Sequence, residues 1–201
     1  MIFEEHHLYH FYNQGNNREK IFFCRDNYLF FLKKINTHLL SYVDVVAWCL
    51  MPNHFHFLIY VKALELGVKP SLEVKASLDD TNRRTLNDTI GLMLRSYTRA
   101  INIQQNRSGS LFRNPSKAEC ITKSDGITPS FYNTATGTRL NITVPEKEYP
   151  QVCFDYIHNN PVAAGLVNQP EDWEFSSYRD YCGLRNGKMI DKERAKEFVV
   201  W

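Results

Sequence analysis

The chain has 201 residues, 43% of them hydrophobic and 13% aromatic, and a formal net charge of +2. That is enough for one domain with a packed core and space for a large insertion, and it excludes a disordered tail. The net charge says little about partners, but the segment from Arg83 to Lys117 carries Arg83, Arg84, Arg95, Arg99, Arg107, Arg113 and Lys117 against Asp88 alone. Such a block is ordinarily a solvated helix face, and it is also what a phosphate-binding surface needs. Cysteines 24, 49, 120, 153 and 182 are odd in number and form no Cys-x-x-Cys pair. They suggest neither a disulfide framework nor a zinc knuckle, and a reducing, cytoplasmic setting fits them best. Met1-Ile2-Phe3-Glu4-Glu5-His6-His7 lacks the pattern of a signal peptide. No apolar run approaches the ~18 residues of a membrane span, so no membrane partner is expected.

Residues 8–12 read as a first strand, and Gln14-Gly15-Asn16-Asn17-Arg18 as a turn. Asp26 is the expected N-cap of a first helix over 27–40, where Leu29, Phe30, Leu32, Ile35, Leu39 and Leu40 recur at helical spacing. Residues 43–50 and 54–61 read as a hairpin turning at Met51-Pro52-Asn53. Residues 63–84 are polar and irregular. Leu86, Ile90, Met93, Leu94, Tyr97 and Ile101 form the apolar stripe of a second helix over 86–104, with Arg95 and Arg99 on other faces. Residues 116–121 complete the order strand, helix, strand, strand, helix, strand. That is the ferredoxin-like split β-α-β pattern, an α+β fold with both helices on one face of an antiparallel sheet. Residues 122–149 read as a long loop or excursive hairpin. A third helix is expected to start at Pro150 and to stop before Pro161. Residues 162–167 and 173–181 read as a compact C-terminal extension, and 191–201 as a charged helical tail.

Alternation in the second hairpin strand puts His54 and His56 on one face and Phe55 and Phe57 on the other. The Phe face wants a core. Two imidazoles in an apolar strand are costly unless used, and this pair suits one metal ion or one phosphate. A lone His-x-His is a weak signal, so a partner matters. In Asp155-Tyr156-Ile157-His158-Asn159-Asn160-Pro161, Tyr156 and Asn160 are one helical turn apart on one face. A Tyr hydroxyl is a nucleophile, and an Asn carbonyl oxygen is a ligand for a hard divalent cation. Against this stand the plain readings of Tyr156 as a core residue and Asn160 as a helix C-cap. Tyr97 is the rival nucleophile, with core packing its plainer use. His158 is offset from Tyr156 and receives no role. Arg95, Arg99, Arg107, Arg113 and Lys117 are candidates for DNA-backbone contacts, which give affinity without reading sequence. Phe112 is suited to base stacking or, more simply, to the core.

Met-Pro-Asn-His-Phe-His-Phe-Leu-Ile, Tyr-Ile-His-Asn-Asn-Pro-Val-Ala-Ala-Gly-Leu-Val and Pro-Glu-Asp-Trp-Glu-Phe-Ser-Ser-Tyr, in this order, resemble the single-tyrosine transposases of the HUH endonuclease superfamily. The resemblance is to the REP-associated tyrosine transposase branch and covers most of residues 7–181. It implies one transposase-like catalytic domain over 1–201, with 122–149 an insertion and 162–201 a C-terminal extension. It also implies His54, His56 and Asn160 as ligands of Mg²⁺ or Mn²⁺, Tyr156 as nucleophile, and a helix bearing that tyrosine over the active-site face. The implied activity is cleavage and transfer of single-stranded DNA beside a hairpin, through a 5′-phosphotyrosine link and a free 3′ hydroxyl. Some relatives exchange the tyrosine helix between subunits, so a homodimer is compatible. Two departures are the length of 122–149 and Ala163, where relatives often carry a basic residue. The rival readings are a non-catalytic, domesticated nucleic-acid-binding protein on the same fold, and a metal phosphoesterase that uses water instead of tyrosine.

Overall fold

The computed structural model describes residues 1–67, 83–123, 132–134, 137–139 and 145–201. Strand β1 (Leu8–Gln14) leads into helix α1 (Arg25–Leu39), then into the hairpin of β2 (Val43–Met51) and β3 (His54–Val61). Short strands β4 (Glu65–Gly67) and β5 (Arg83–Thr85) pair with each other ahead of helix α2 (Leu86–Gln104). Strand β6 (Lys117–Cys120) follows, then a small pair, β7 (Tyr132–Thr134) with β8 (Gly137–Arg139). Helix α3 (Pro145–Ala163) precedes two short helices, α4 (Tyr178–Tyr181) and α5 (Lys192–Lys196).

The main sheet runs β2-β3-β1-β6, with all neighbours antiparallel. This is the strand order of the ferredoxin-like pattern. Pro52-Asn53 form a two-residue hairpin loop, with Met51 opposite His54. Helices α1 and α2 cover one face. Phe31, Ile35, Ile90, Met93, Tyr97 and Ile101 are buried there with Phe11, Phe55 and Phe57 of the sheet. The second face carries Leu8, Cys49, Met51 and Leu58, covered in part by Phe154 and Ile157 of α3. Burying such a side chain is worth about 1.5–3 kcal/mol. At Val45–Ala47 the β2–β3 register slips. Val46 and Ala47 then both turn to the α3 side, while Val45 and Trp48 stay with the first core.

The expected elements stand, with changes at their ends. Asp26 is not the N-cap of α1. Cys24 is, and Asn27 Oδ1 accepts from the Phe23 and Cys24 amides at 2.9 and 3.2 Å. Residues 63–84 are not wholly irregular, because β4 and β5 lie at their two ends. Residues 68–82 of that segment lie outside the described residues, as do 124–131, 135–136 and 140–144 of the segment 122–149. Helix α3 neither starts at Pro150 nor stops before Pro161. Pro161 lies in the last turn, where its ring removes one hydrogen bond but leaves the end able to close. Leu166 N donates to Pro161 O at 3.0 Å and Gly165 N to Val162 O at 2.9 Å, a Schellman closure with Gly165 at φ +68°.

The C-terminal extension runs along the free edge of β2. Leu50 N donates to Phe175 O, Ser177 N to Trp48 O and Asp191 N to Val45 O, at 2.9, 2.9 and 2.8 Å. The same extension anchors α3, because buried His158 Nε2 meets Ser177 Oγ at 2.8 Å and Ser177 Oγ also contacts the Trp48 backbone. Among the described residues, no helix is long and apolar enough to cross a membrane.

Candidate active site

Strand β3 sets His54 and His56 on the face that α3 crosses, with ring centroids 5.0 Å apart and planes at 83°. Their Phe neighbours are pinned in the opposite core, so the strand cannot rotate to hide the imidazoles. Helix α3 brings Tyr156 over them. The Tyr156 ring stands edge-on to His56 at 5.4 Å and to His10 of β1 at 6.1 Å. Tyr156 is 52% exposed although its helix neighbours Phe154 and Ile157 are buried. Tyr156 is thus a pocket residue, not a core tyrosine. Asn160, one turn on, is buried and places Oδ1 3.2 Å from His54 Nε2. It lies inside α3 and is no C-cap. His54, His56 and Tyr156 share a 250 Å³ pocket with Tyr12, Asn13, Gln14, Arg113, Pro115 and Lys117.

The donor set fits a hard divalent cation. His54 Nδ1 lies 2.6 Å from Asn53 Oδ1, a carbonyl oxygen that only accepts. With its proton there, His54 Nε2 holds a lone pair, and it faces a second acceptor in Asn160 Oδ1. Two acceptors at that distance are an arrangement that a bound cation would satisfy. His56 Nε2 is buried and has no hydrogen-bond partner among the described residues. Burial lowers the pKa of His54, against the raising effect of its Asn160 contact. Burial and then the neighbouring His10 and His54 push His56 well below the ordinary imidazole value. Both effects favour the neutral ring, the metal-binding form. No group of three or more His, Cys, Asp or Glu side chains among the described residues is placed to hold a metal. The third donor of such a set would be the Asn160 amide oxygen.

A second, larger cleft of about 1030 Å³ runs along α2 and is lined by Arg95, Arg99, Arg107 and Arg113. It shares Asn13 and Arg113 as wall residues with the Tyr156 pocket. Arg107 is paired with Glu19 at 3.2 Å. Arg95, Arg99 and Arg113 form no ion pair among the described residues. Lys117 lies at the inner pocket, its ammonium 5.8 Å from the Tyr12 ring centroid. Phe112 is buried among the core aromatics and does not stack outward. Tyr97 is fully buried, its hydroxyl donating to Ile21 O at 2.8 Å, which removes it as a rival nucleophile.

The sequence matches no family model and no curated protein. Among solved structures it is similar to a REP-associated tyrosine transposase bound to a REP hairpin, at 20% identity and a TM-score of 0.54, over 95% of this chain and 92% of that one. The chain has the fold of a REP-associated tyrosine transposase. In this transposase fold the sequence motifs lead to His54, His56, Tyr156 and Asn160, and two further residues escape them. His10 and Tyr12 lie on the same face of β1, with Tyr12 directly opposite His56. Tyr12 stacks on His10 at 4.7 Å and donates its hydroxyl to Glu119 at 2.6 Å. His10 Nε2 reaches His56 Nδ1 at 2.8 Å, and burial pushes the His10 pKa down to about 4. The signal was a polar residue in an apolar strand, the same one that marks His54 and His56.

Proposed function

We propose that this protein is a metal-dependent endonuclease and strand transferase of transposase type. Its substrate is single-stranded DNA beside a hairpin. The observation that carries this reading is the convergence of a half-exposed phenol, Tyr156, with His54 and His56 in one pocket, where buried Asn160 places Oδ1 3.2 Å from His54 Nε2. The hairpin preference is carried over from the fold neighbour, which was solved with a REP hairpin. Tyr156 Oη attacks the scissile phosphorus, forming an O–P bond as the bond from phosphorus to the 3′ oxygen breaks. The phenol gives up its proton to solvent, and the departing 3′ oxygen takes one up. The 5′ phosphate stays on Tyr156, so the phosphodiester energy is kept for joining a second strand. His54, His56 and Asn160 would hold Mg²⁺ or Mn²⁺, which would supply charge neutralisation at the phosphate. Arg95, Arg99, Arg107, Arg113 and Lys117 hold the DNA backbone that leads into the pocket. A homodimer remains compatible with this chemistry.

The test is a denaturing gel of wild type and Tyr156→Phe with labelled hairpin oligonucleotides that carry single-stranded flanks, in Mn²⁺ or EDTA. A labelled, protein-sized band that needs both metal and Tyr156 is the expected result. Cleavage that survives Tyr156→Phe with no such band assigns the attack to water. Binding without cleavage across a broad hairpin library assigns the protein to the non-catalytic, DNA-binding alternative.

A further inference from the structure

His10 Nε2 lies 2.8 Å from His56 Nδ1, and both rings are buried. One proton sits between two imidazole nitrogens at that distance, because two lone pairs repel and two N–H groups collide. The pair therefore has two forms. In the first, His56 donates from Nδ1 and keeps a lone pair on Nε2. In the second, His10 donates and the hydrogen of His56 moves to Nε2. That Nε2 is buried with no partner among the described residues. An N–H there would be an unsatisfied buried donor, at a cost of about 1–3 kcal/mol. A lone pair there is a metal donor, on a ring 5.0 Å from that of the neighbouring His54. His54 repeats the arrangement, with Nδ1 engaged by Asn53 and Nε2 turned to the site.

We propose that His10 is a positioning residue for the metal site. It accepts the Nδ1 hydrogen of His56 and so fixes the tautomer that presents Nε2 to a divalent cation. This rests on the reading of His54, His56 and Asn160 as the metal-binding set. A metal-bound histidine ordinarily passes its other ring hydrogen to a carboxylate or backbone oxygen, which orients the ring and raises its basicity. Here a second imidazole takes that place. Its own orientation is held by stacking on Tyr12 at 4.7 Å and by the edge contact of Tyr156 at 6.1 Å. Register explains the reach. Tyr12 is opposite His56 and His10 is opposite Leu58, so His10 and His56 are diagonal neighbours on one face.

Two measurements test the proposal on the full chain. Nitrogen-15 NMR of the metal-free protein, at a pH where imidazoles are neutral, reads the His56 tautomer directly. Free histidine favours Nε2–H, so the Nδ1–H form in wild type is the informative result. Mn²⁺ titration followed by EPR of the free ion then compares wild type, His10→Phe and His10→Gln. The Phe ring keeps the bulk and removes the acceptor, while the Gln carbonyl restores one near the position of Nε2. Mn²⁺ affinity should fall about 10–100-fold in His10→Phe and recover to within about threefold of wild type in His10→Gln. His56 found as Nε2–H in wild type, or wild-type Mn²⁺ affinity in His10→Phe, overturns the proposal. If His10→Phe does not fold, the wild-type tautomer and the Gln variant decide. If wild type itself binds no Mn²⁺, the metal reading falls, and the tautomer alone still decides whether His10 sets the ring.

Discussion

Tyr97 and Tyr156 show how the same side chain takes opposite uses. Tyr97 sits in the continuous stripe of α2, fully buried, with its hydroxyl spent on Ile21 O. Tyr97→Phe should lower stability by about 1 kcal/mol in urea unfolding and leave the proposed DNA cleavage unchanged. Tyr156 forms no hydrogen bond among the described side chains, so Tyr156→Phe should leave the unfolding midpoint within error while removing the covalent product. The cysteines divide in the same way. Burial raises the pKa of Cys49 and of Cys153, which keeps both as thiols. Cys24 and Cys182 are exposed. Native protein treated with iodoacetamide at mildly alkaline pH should be alkylated at Cys24 and Cys182 first. Peptide mass mapping should find Cys49 and Cys153 modified only after denaturation. Early labelling of Cys49 would show that α3 lifts off the sheet.

At the scale of the element, α3 is the piece on which the site depends. One turn presents Tyr156 to the pocket and Asn160 to His54, while Cys153, Phe154 and Ile157 press on the sheet. His158 fastens the same turn to Ser177, which explains a histidine that sequence reasoning left without a role. The end of the helix is set by Gly165 at φ +68°, where an added Cβ would meet nothing within 4 Å. Gly165→Ala therefore tests backbone strain alone. It should cost about 1–2 kcal/mol in urea unfolding, without a packing defect. The helix was legible in outline but not in extent. Proline rules place its start at Pro150 and its stop before Pro161, because they weigh local geometry and not the surrounding packing. Both prolines lie inside the helix, near enough to its ends for the lost bonds to be borne. Strands of three residues such as β4 and β5 carry too little alternation to be seen at all.

Taken whole, the molecule sets an arginine-lined cleft beside a small pocket, and the proposed DNA binding should be tested against salt. Arg95, Arg99 and Arg113 line the cleft without ion pairs among the described residues. Each Arg→Ala change should reduce the slope of log K against log salt by about 0.7–0.9, measured by fluorescence anisotropy with a hairpin oligonucleotide. Arg107, tied to Glu19, should change the slope less. The sheet order was legible because period-two alternation assigns a face to each strand residue. His54 and His56 were legible because they interrupt an apolar run. The His10 contact was not, because it depends on which strand lies beside β3 and in what register. The C-terminal extension has a role that its sequence gives no hint of. Strand β2 ends the sheet, and residues 175–191 occupy its outward amides and carbonyls at Val45, Trp48 and Leu50. That covering works as a guard against self-templating. A chain cut before residue 170 would bare nine residues of mostly apolar strand, and such an edge recruits another copy of itself. The truncated protein should form oligomers visible by light scattering at concentrations where the full chain does not, so the C-terminal extension is also what keeps this sheet from growing.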